Sequence, residues 1–399
     1  LLSLRETKQH FQTEEIAHHY EKADDTRAIS FLASAAKIAE ELFDYRHATE
    51  LYTRTLNVLD RLAAEDLRKR FELVLKRERV LDLQGRREEQ DGDIAILLNL
   101  SDSLADTQLQ ATAFVRQAGW YTYTEHYAEA LEAGKKALEL YRNARDRSGE
   151  ANTLTELGFL HWSTKDYSNA LQYNRTALHL YRILGDTVCE AMALHNLAEI
   201  YRSLNSYSES LRLYREAQNL NWARGNYRAQ ALSLYGMAHA LISLGNVSEA
   251  IERYSEALQL CNTAEDLLMV SRVYHELANL SWESGDLFQA IKHMDKALHI
   301  SLQIGYSPGV AHGLIALSYL HAQGNEIEKA LVNAQEANKW LKLLEDEVRL
   351  KAIKKWQGSL KKGTVRSSDI PKTLGWIKSH VTLREVKVYC EFESPMMSD

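Results

Sequence analysis

The chain is 399 residues long, 45% hydrophobic and 26% charged, with a formal net charge of −7. Only three prolines and 18 glycines interrupt it, which favours long helices over an all-β fold, and the acidic balance argues against a general binder of nucleic-acid backbone, which needs a basic face. The three cysteines, Cys189, Cys261 and Cys390, match no zinc or redox spacing and fit a reducing, cytoplasmic setting, and no run approaches the ~18 consecutive apolar residues of a membrane-spanning helix.

Taken in chain order, residues 1–24 read as a leading helix and junction, charged throughout and without the apolar core of a signal peptide. The first residue is Leu1 and not Met, which suggests a processed chain or a fragment. Helix pairs then follow over 25–340, in repeats of 25–62, 66–104, 108–145, 148–185, 188–225, 228–265, 268–305 and 308–340. The first pair reads as helices over 27–42 and 45–60, with Asp44-Tyr45-x-x-Ala48 matching Asp166-Tyr167-x-x-Ala170 further on. The second is divergent, with a turn at Gly85 and a degraded pattern of small residues.

From the third pair on, the frame is regular. Ala130, Ala170, Ser210, Ala250, Ala290 and Ala330 recur every 40 residues, each followed by Leu or Ile. Seven residues later stand Ala137, Ala177, Ala217, Ala257, Ala297 and Ala337; twelve residues earlier stand Ala118, Gly158, Ala198, Ala238, Ala278 and Ser318. Small side chains at these spacings let two antiparallel helices approach to about 8 Å. Leu157, Leu197, Met237, Leu277 and Leu317 brace the first helix, and Tyr214 and Tyr254 sit on the second between its two small positions. Ser206…Glu209, Asn246…Glu249 and Asp286…Gln289 have capping-box spacing or a close variant, and Gly185, Gly225 and Gly305 read as left-handed helix stops. Residues 341–362 read as a charged capping helix that covers the last pair with Leu344, Leu350, Ile353 and Trp356. Residues 363–399 leave the frame, either as a loose tail or with a short strand at Val386–Tyr389.

This frame resembles the tetratricopeptide repeat over residues 25–340, in a 40-residue variant like that of kinesin light chains and of bacterial STAND-type signalling ATPases and transcriptional regulators. Leu194-His195-Asn196-Leu197-Ala198-Glu199-Ile200-Tyr201 is similar to the first-helix pattern of both. His18-His19-Tyr20, Asp25-x-x-Ala28-Ile29, and Arg79–Gly85 with Gln90-x-x-Asp93 are similar to the junction behind the nucleotide-binding module of such ATPases. The resemblance implies an all-α, right-handed superhelical solenoid of about eight antiparallel helix pairs, with first helices lining a concave face that binds protein segments. It further implies the sensor or recruitment arm of a larger signalling ATPase, or else a free-standing adaptor of the kinesin-light-chain type. No phosphate loop of the GxxxxGK[ST] kind is present in the chain.

Counted from the small residue of each first helix, inward positions fall at −6, −3, +1 and +4. They are Asn152, Thr155, Phe159 and Trp162 in one repeat, then Met192, His195, Glu199 and Arg202. Leu232, Tyr235, His239 and Ile242 follow, then Arg272, His275, Asn279 and Trp282, and finally His312, Ile315, Tyr319 and Ala322. Such rows suit stacking and side-chain hydrogen bonds to a protein or peptide partner. Trp162 and Trp282 fit equally a groove contact or packing between repeats. The paired lysines of a carboxylate clamp are missing, because the matching row offers Thr155, His195, Tyr235, His275 and Ile315. His195 and His275 stand two repeats apart, about 20 Å, too far to share one metal ion. No catalytic, metal or cofactor motif is present, so the chain reads as an interaction scaffold and not an enzyme, with an unrecognised enzyme site in the tail at 363–399 as the remaining alternative; its oligomeric state is not legible.

Overall fold

The computed structural model describes residues 13–363 apart from positions 43, 224, 265 and 345. The described residues form helices and turns, with no strand among them. The chain divides into two compact units between Asp186 and Thr187.

In the first unit, α1 spans residues 13–22. Four consecutive pairs follow: α2 (Arg27–Glu41) with α3 (Tyr45–Leu62), α4 (Leu67–Gln84) with α5 (Arg87–Leu104), α6 (Thr107–Tyr123) with α7 (Tyr127–Asn143), and α8 (Arg147–Ser163) with α9 (Tyr167–Leu184). The second unit repeats the plan with α10 (Thr187–Ser203) and α11 (Tyr207–Ala223), α12 (Tyr227–Ser243) and α13 (Val247–Thr263), α14 (Leu267–Glu283) and α15 (Leu287–Gln303), and α16 (Ser307–Gln323) and α17 (Ile327–Leu343). Helix α18 (Glu347–Lys361) closes it against α17. Eight pairs stand where the sequence predicts about eight.

The small-residue positions lie at the helix crossings. Ala130, Ala170, Ser210, Ala250, Ala290, Ala330 and the six alanines seven residues later have no exposed surface. The close approach is tightest at Gly158, where an added Cβ would lie 2.1 Å from Asn174 Nδ2. Most bracing residues are buried with them, while Leu277 is half-buried.

Turn chemistry is more regular than the residue types suggest. The turn inside each regular pair places one residue in the left-handed region: Glu125, Lys165, Asn205, Gly245, Gly285 and Asn325 all have φ between 59° and 86°. Four of the six are not glycine, and two of those, Glu125 and Lys165, lack even asparagine's tolerance of that region, so packing of the two helices holds the turn. Gly185, Gly225 and Gly305 are left-handed helix stops at φ 68°.

Caps differ in part from expectation. Asp286 accepts from the Gln289 backbone N–H, but Asn246 makes no side-chain capping bond. Side-chain caps recur ahead of both kinds of helix: Asp66, Asp106, Asp146, Asn226 and Asp266 cap first helices, Asp44 and Asp166 cap second helices, and Asp346 caps α18, each accepting a first-turn backbone N–H. The capping helix is also shorter than expected: residues 341–343 complete α17, and α18 starts at Glu347, behind the cap of Asp346. Ile353, Trp356 and Leu360 form its buried stripe. The proposed tail beyond Gly363, with its strand at 386–389, lies outside the described residues.

Candidate partner-binding face

Contacts that skip one helix are made between first helices: α6 with α8 in the first unit, and α10 with α12, α12 with α14 and α14 with α16 in the second. First helices therefore share one crowded face in each unit, and the residues of the predicted rows meet across it.

In the first unit, Asn152 is exposed and Thr155 buried, and both bond the Tyr181 hydroxyl of α9, at 2.8 and 3.2 Å. Those two residues face their own second helix. Phe159 is half-buried between Tyr123 of α6, 5.4 Å away between ring centroids, and Trp162, 6.0 Å away and stacked. Trp162 is itself half-buried.

In the second unit, His195 is buried and sits edge-on to Tyr214 at 5.0 Å. Glu199 is 2% exposed and takes hydrogen bonds from the Tyr214 hydroxyl and from Arg202, whose Nη2 lies 2.7 Å away. Burial alone would raise the Glu199 carboxyl, but Arg202 with the other donors around it brings it down to about 2. Burial pushes His195 down to about 4. Glu199 and Arg202 thus form a closed ion pair, and Arg202 stays half-buried over it.

Tyr235 is buried and His239 half-buried, their rings 4.6 Å apart. Both reach Glu276 of α14: the Tyr235 hydroxyl donates at 3.3 Å and His239 Nε2 stands 3.9 Å off. Arg272 and His275 are buried, and His275 stacks on the half-buried His312 of α16 with centroids 4.7 Å apart. Burial, with Arg272 adding to it, pushes His275 down to about 4. Asn279 and Trp282 are half-buried, and Trp282 Nε1 donates to Gln323 Oε1 of α16 at 2.5 Å. Tyr319 is buried against Trp356 of α18, 4.3 Å away.

The rows therefore hold neighbouring first helices together as well as lining a face. Trp282, open to either reading from sequence, makes an inter-repeat contact while keeping part of its surface exposed. Glu276 and Gln323 were outside the inward count, which steps through −3 and +1 and passes over −2 and +5. Their signal is spacing: each lies 41 residues after its partner, one repeat plus one residue.

An all-helical array of paired helices on a 40-residue frame, with compact residues at each crossing, is a tetratricopeptide-type helical repeat protein. Family profiles described as tetratricopeptide repeat match residues 109–183, 149–221 and 233–268. No curated protein matches the chain at the level of sequence. Among solved structures, a Rap protein complexed with Competence and Sporulation Factor is similar at 14% identity and TM-score 0.53, covering 81% of this chain and 89% of that one. A STAND signal-transduction ATPase with a tetratricopeptide repeat sensor, from Pyrococcus horikoshii, is similar at 18% identity and TM-score 0.50. That likeness covers 83% of this chain and 54% of the Pyrococcus chain. BtubC (BKLC) of P. vanneervenii matches at 18% identity and TM-score 0.45 over 55% of this chain and 90% of that one. At these identities the likeness is one of fold. No helix among the described residues is long and apolar enough to cross a membrane.

Proposed function

We propose that the first-helix face of the second unit binds a protein or peptide segment, and that the chain is the sensor or recruitment arm of a larger signalling ATPase. The observation that carries the binding reading is the strip of half-buried polar and aromatic side chains on α12 and α14, His239, Glu276, Asn279 and Trp282, set on helices tied to their neighbours by side-chain hydrogen bonds from α12 to α14 and from α14 to α16. Partly open aromatic and polar groups on a rigid support lose little freedom when a partner docks. The signalling reading is supported by the Pyrococcus protein, in which such an array is named a sensor, and the binding reading by the Rap protein complexed with Competence and Sporulation Factor.

Arg202, which has the chemistry of an anchor, is a poor probe of this face, because its loss leaves Glu199 charged in a buried position. The cleaner test is the double variant Trp282→Phe with Asn279→Ala in affinity capture with the full chain. Capture of the partner should fall about tenfold or more, with the helical circular-dichroism signal kept. Unchanged capture in a folded variant rejects this face. For the signalling context, the gene sequence upstream of Leu1 should encode a phosphate loop; its absence there favours an adaptor of the kinesin-light-chain type.

A further inference from the structure

Four acidic residues lie on the first helices of the second unit: Glu190 and Glu199 on α10, and Glu276 and Glu283 on α14. Glu199 is neutralised by Arg202. Glu276 differs from it. Its bonds are the long 3.3 Å one from the Tyr235 hydroxyl and the 3.9 Å approach of His239 Nε2, and no lysine or arginine among the described residues pairs with it. Its side chain is 20% exposed and that of His239 17%. The carboxylate is held in place yet reachable, on the face proposed above to take a partner.

Its surroundings are aromatic. Tyr235 and His239 are 4.6 Å apart, and Tyr254 of α13 lies 5.7 Å from Tyr235 and 6.0 Å from His239. Glu276 adds to the burial that raises the Tyr254 phenol, which places the carboxylate beside this ring cluster. A partly desolvated carboxylate prefers a cation, and ring faces next to it favour the same sign of charge. An anionic or purely apolar group placed here would leave the carboxylate with its one long phenol bond and take away its water.

We infer that Glu276, with Tyr235 and His239 beside it, is the anchoring acceptor for a cationic group of the bound peptide, a protonated amine or a guanidinium. This rests on the peptide-binding reading and names the chemistry of its ligand. The cation comes from a lysine or arginine side chain or from the peptide's amino terminus. Both sources offer N–H donors to a carboxylate oxygen, with the charge held over the ring cluster.

The test is selection of peptides from a random library displayed with free amino termini, using the full chain and its Glu276→Gln variant in parallel. Gln keeps the shape and an oxygen for Tyr235 while removing the charge. The expected result is enrichment of basic residues, or dependence on a free amino terminus, on the wild type alone. A selected peptide, synthesised, should bind the variant about tenfold more weakly, the scale of one charge-assisted hydrogen bond. Acetylating its amino terminus, or replacing its basic residue by norleucine, identifies the source of the cation: the change that removes the difference between wild type and variant marks it. Peptides that bind wild type and folded variant equally, or show no basic preference, overturn the inference and leave the peptide-binding reading standing. A library that yields no binder to the wild type overturns that reading and the inference with it.

Discussion

The Tyr214 hydroxyl donates to the buried Glu199 carboxylate, while the same ring occupies the space into which a Cβ on Gly236 would project, 2.4 Å from Tyr214 Cε1. One side chain of α11 thus ties its own first helix, α10, to the first helix of the next pair, α12. Arg202→Met leaves Glu199 charged at 2% exposure, and should cost about 3–5 kcal/mol. Tyr214→Phe removes one donor and leaves the Arg202 bond in place, and should cost about 1–3 kcal/mol. Urea unfolding of the two variants checks the order; a smaller loss for Arg202→Met than for Tyr214→Phe would mean that the carboxylate is not charged in the fold.

Buried histidines set a pH dependence with a definite sign. His195 and His275 are pushed down to about 4 by burial, while in the unfolded chain each protonates near 6.5. Between those values the unfolded chain binds protons that the fold refuses, so their contribution is fully present above pH 6.5 and is lost as pH falls towards 4. Carboxyls raised by burial, such as Glu40 at about 7, act in the opposite sense, so the useful measurement is a difference between proteins. Between pH 7 and pH 5, His275→Asn should lose about 2 kcal/mol less stability than the wild type. An identical pH slope in the two proteins would show that His275 keeps its ordinary pKa.

The helix crossings were legible in sequence because one constraint fixes residue type there: Ala170, Ala250 and Ala290 are small because a neighbouring backbone is close, and all three have no exposed surface. The face was less legible. Thr155 and Asn152 occupy inward positions by count yet bond Tyr181 of their own pair, because a helical position is shared between two neighbours and spacing alone does not choose. Glu276 was missed for the same reason: its role arises from Tyr235 and His239 one repeat earlier, a lateral contact that no periodicity within a single helix reports.

Gly158 and Asn174 give a test of the crossing itself. Gly158→Ala places a Cβ 2.1 Å from Asn174 Nδ2, and Asn174 is held there by its bond to the Ala170 carbonyl at 2.9 Å. The substitution should cost about 1–3 kcal/mol, and Ala238→Leu, with its site fully enclosed, a similar amount. Combining Gly158→Ala with Asn174→Ala opens the space, so the double variant should be more stable than the sum of the single effects. Additive losses in thermal unfolding would place the strain elsewhere.

Turn positions predict gains. Lys165 sits at φ 63° and Asn205 at φ 59° in equivalent turns, where Gly245 and Gly285 stand in other repeats. The left-handed conformation penalises a side chain with a Cβ, least for asparagine. Lys165→Gly should therefore stabilise the protein by about 1 kcal/mol, after the entropy glycine adds to the unfolded chain, and Asn205→Gly by less. A drop in melting temperature for Lys165→Gly would show that the lysine side chain contributes more than its backbone strain.

The end of the second unit depends on Trp356. Its indole N–H donates to Ser318 Oγ at 3.0 Å, and that hydroxyl in turn donates to the Ala330 carbonyl at 2.7 Å, so α18, α16 and α17 are joined through one small residue at a crossing. The ring also covers Tyr319 at 4.3 Å. Trp356→Phe keeps most of the apolar cover and breaks the chain of bonds, and should cost about 1 kcal/mol. Trp356→Ala removes both and should cost about 3–5 kcal/mol. Because α18 covers the last pair of the unit, amides of α16 and α17 should lose hydrogen-exchange protection first in Trp356→Ala, ahead of those of α10 and α11. Uniform loss of protection across the unit would mean that it unfolds as one block and that α18 does not act as a local cap.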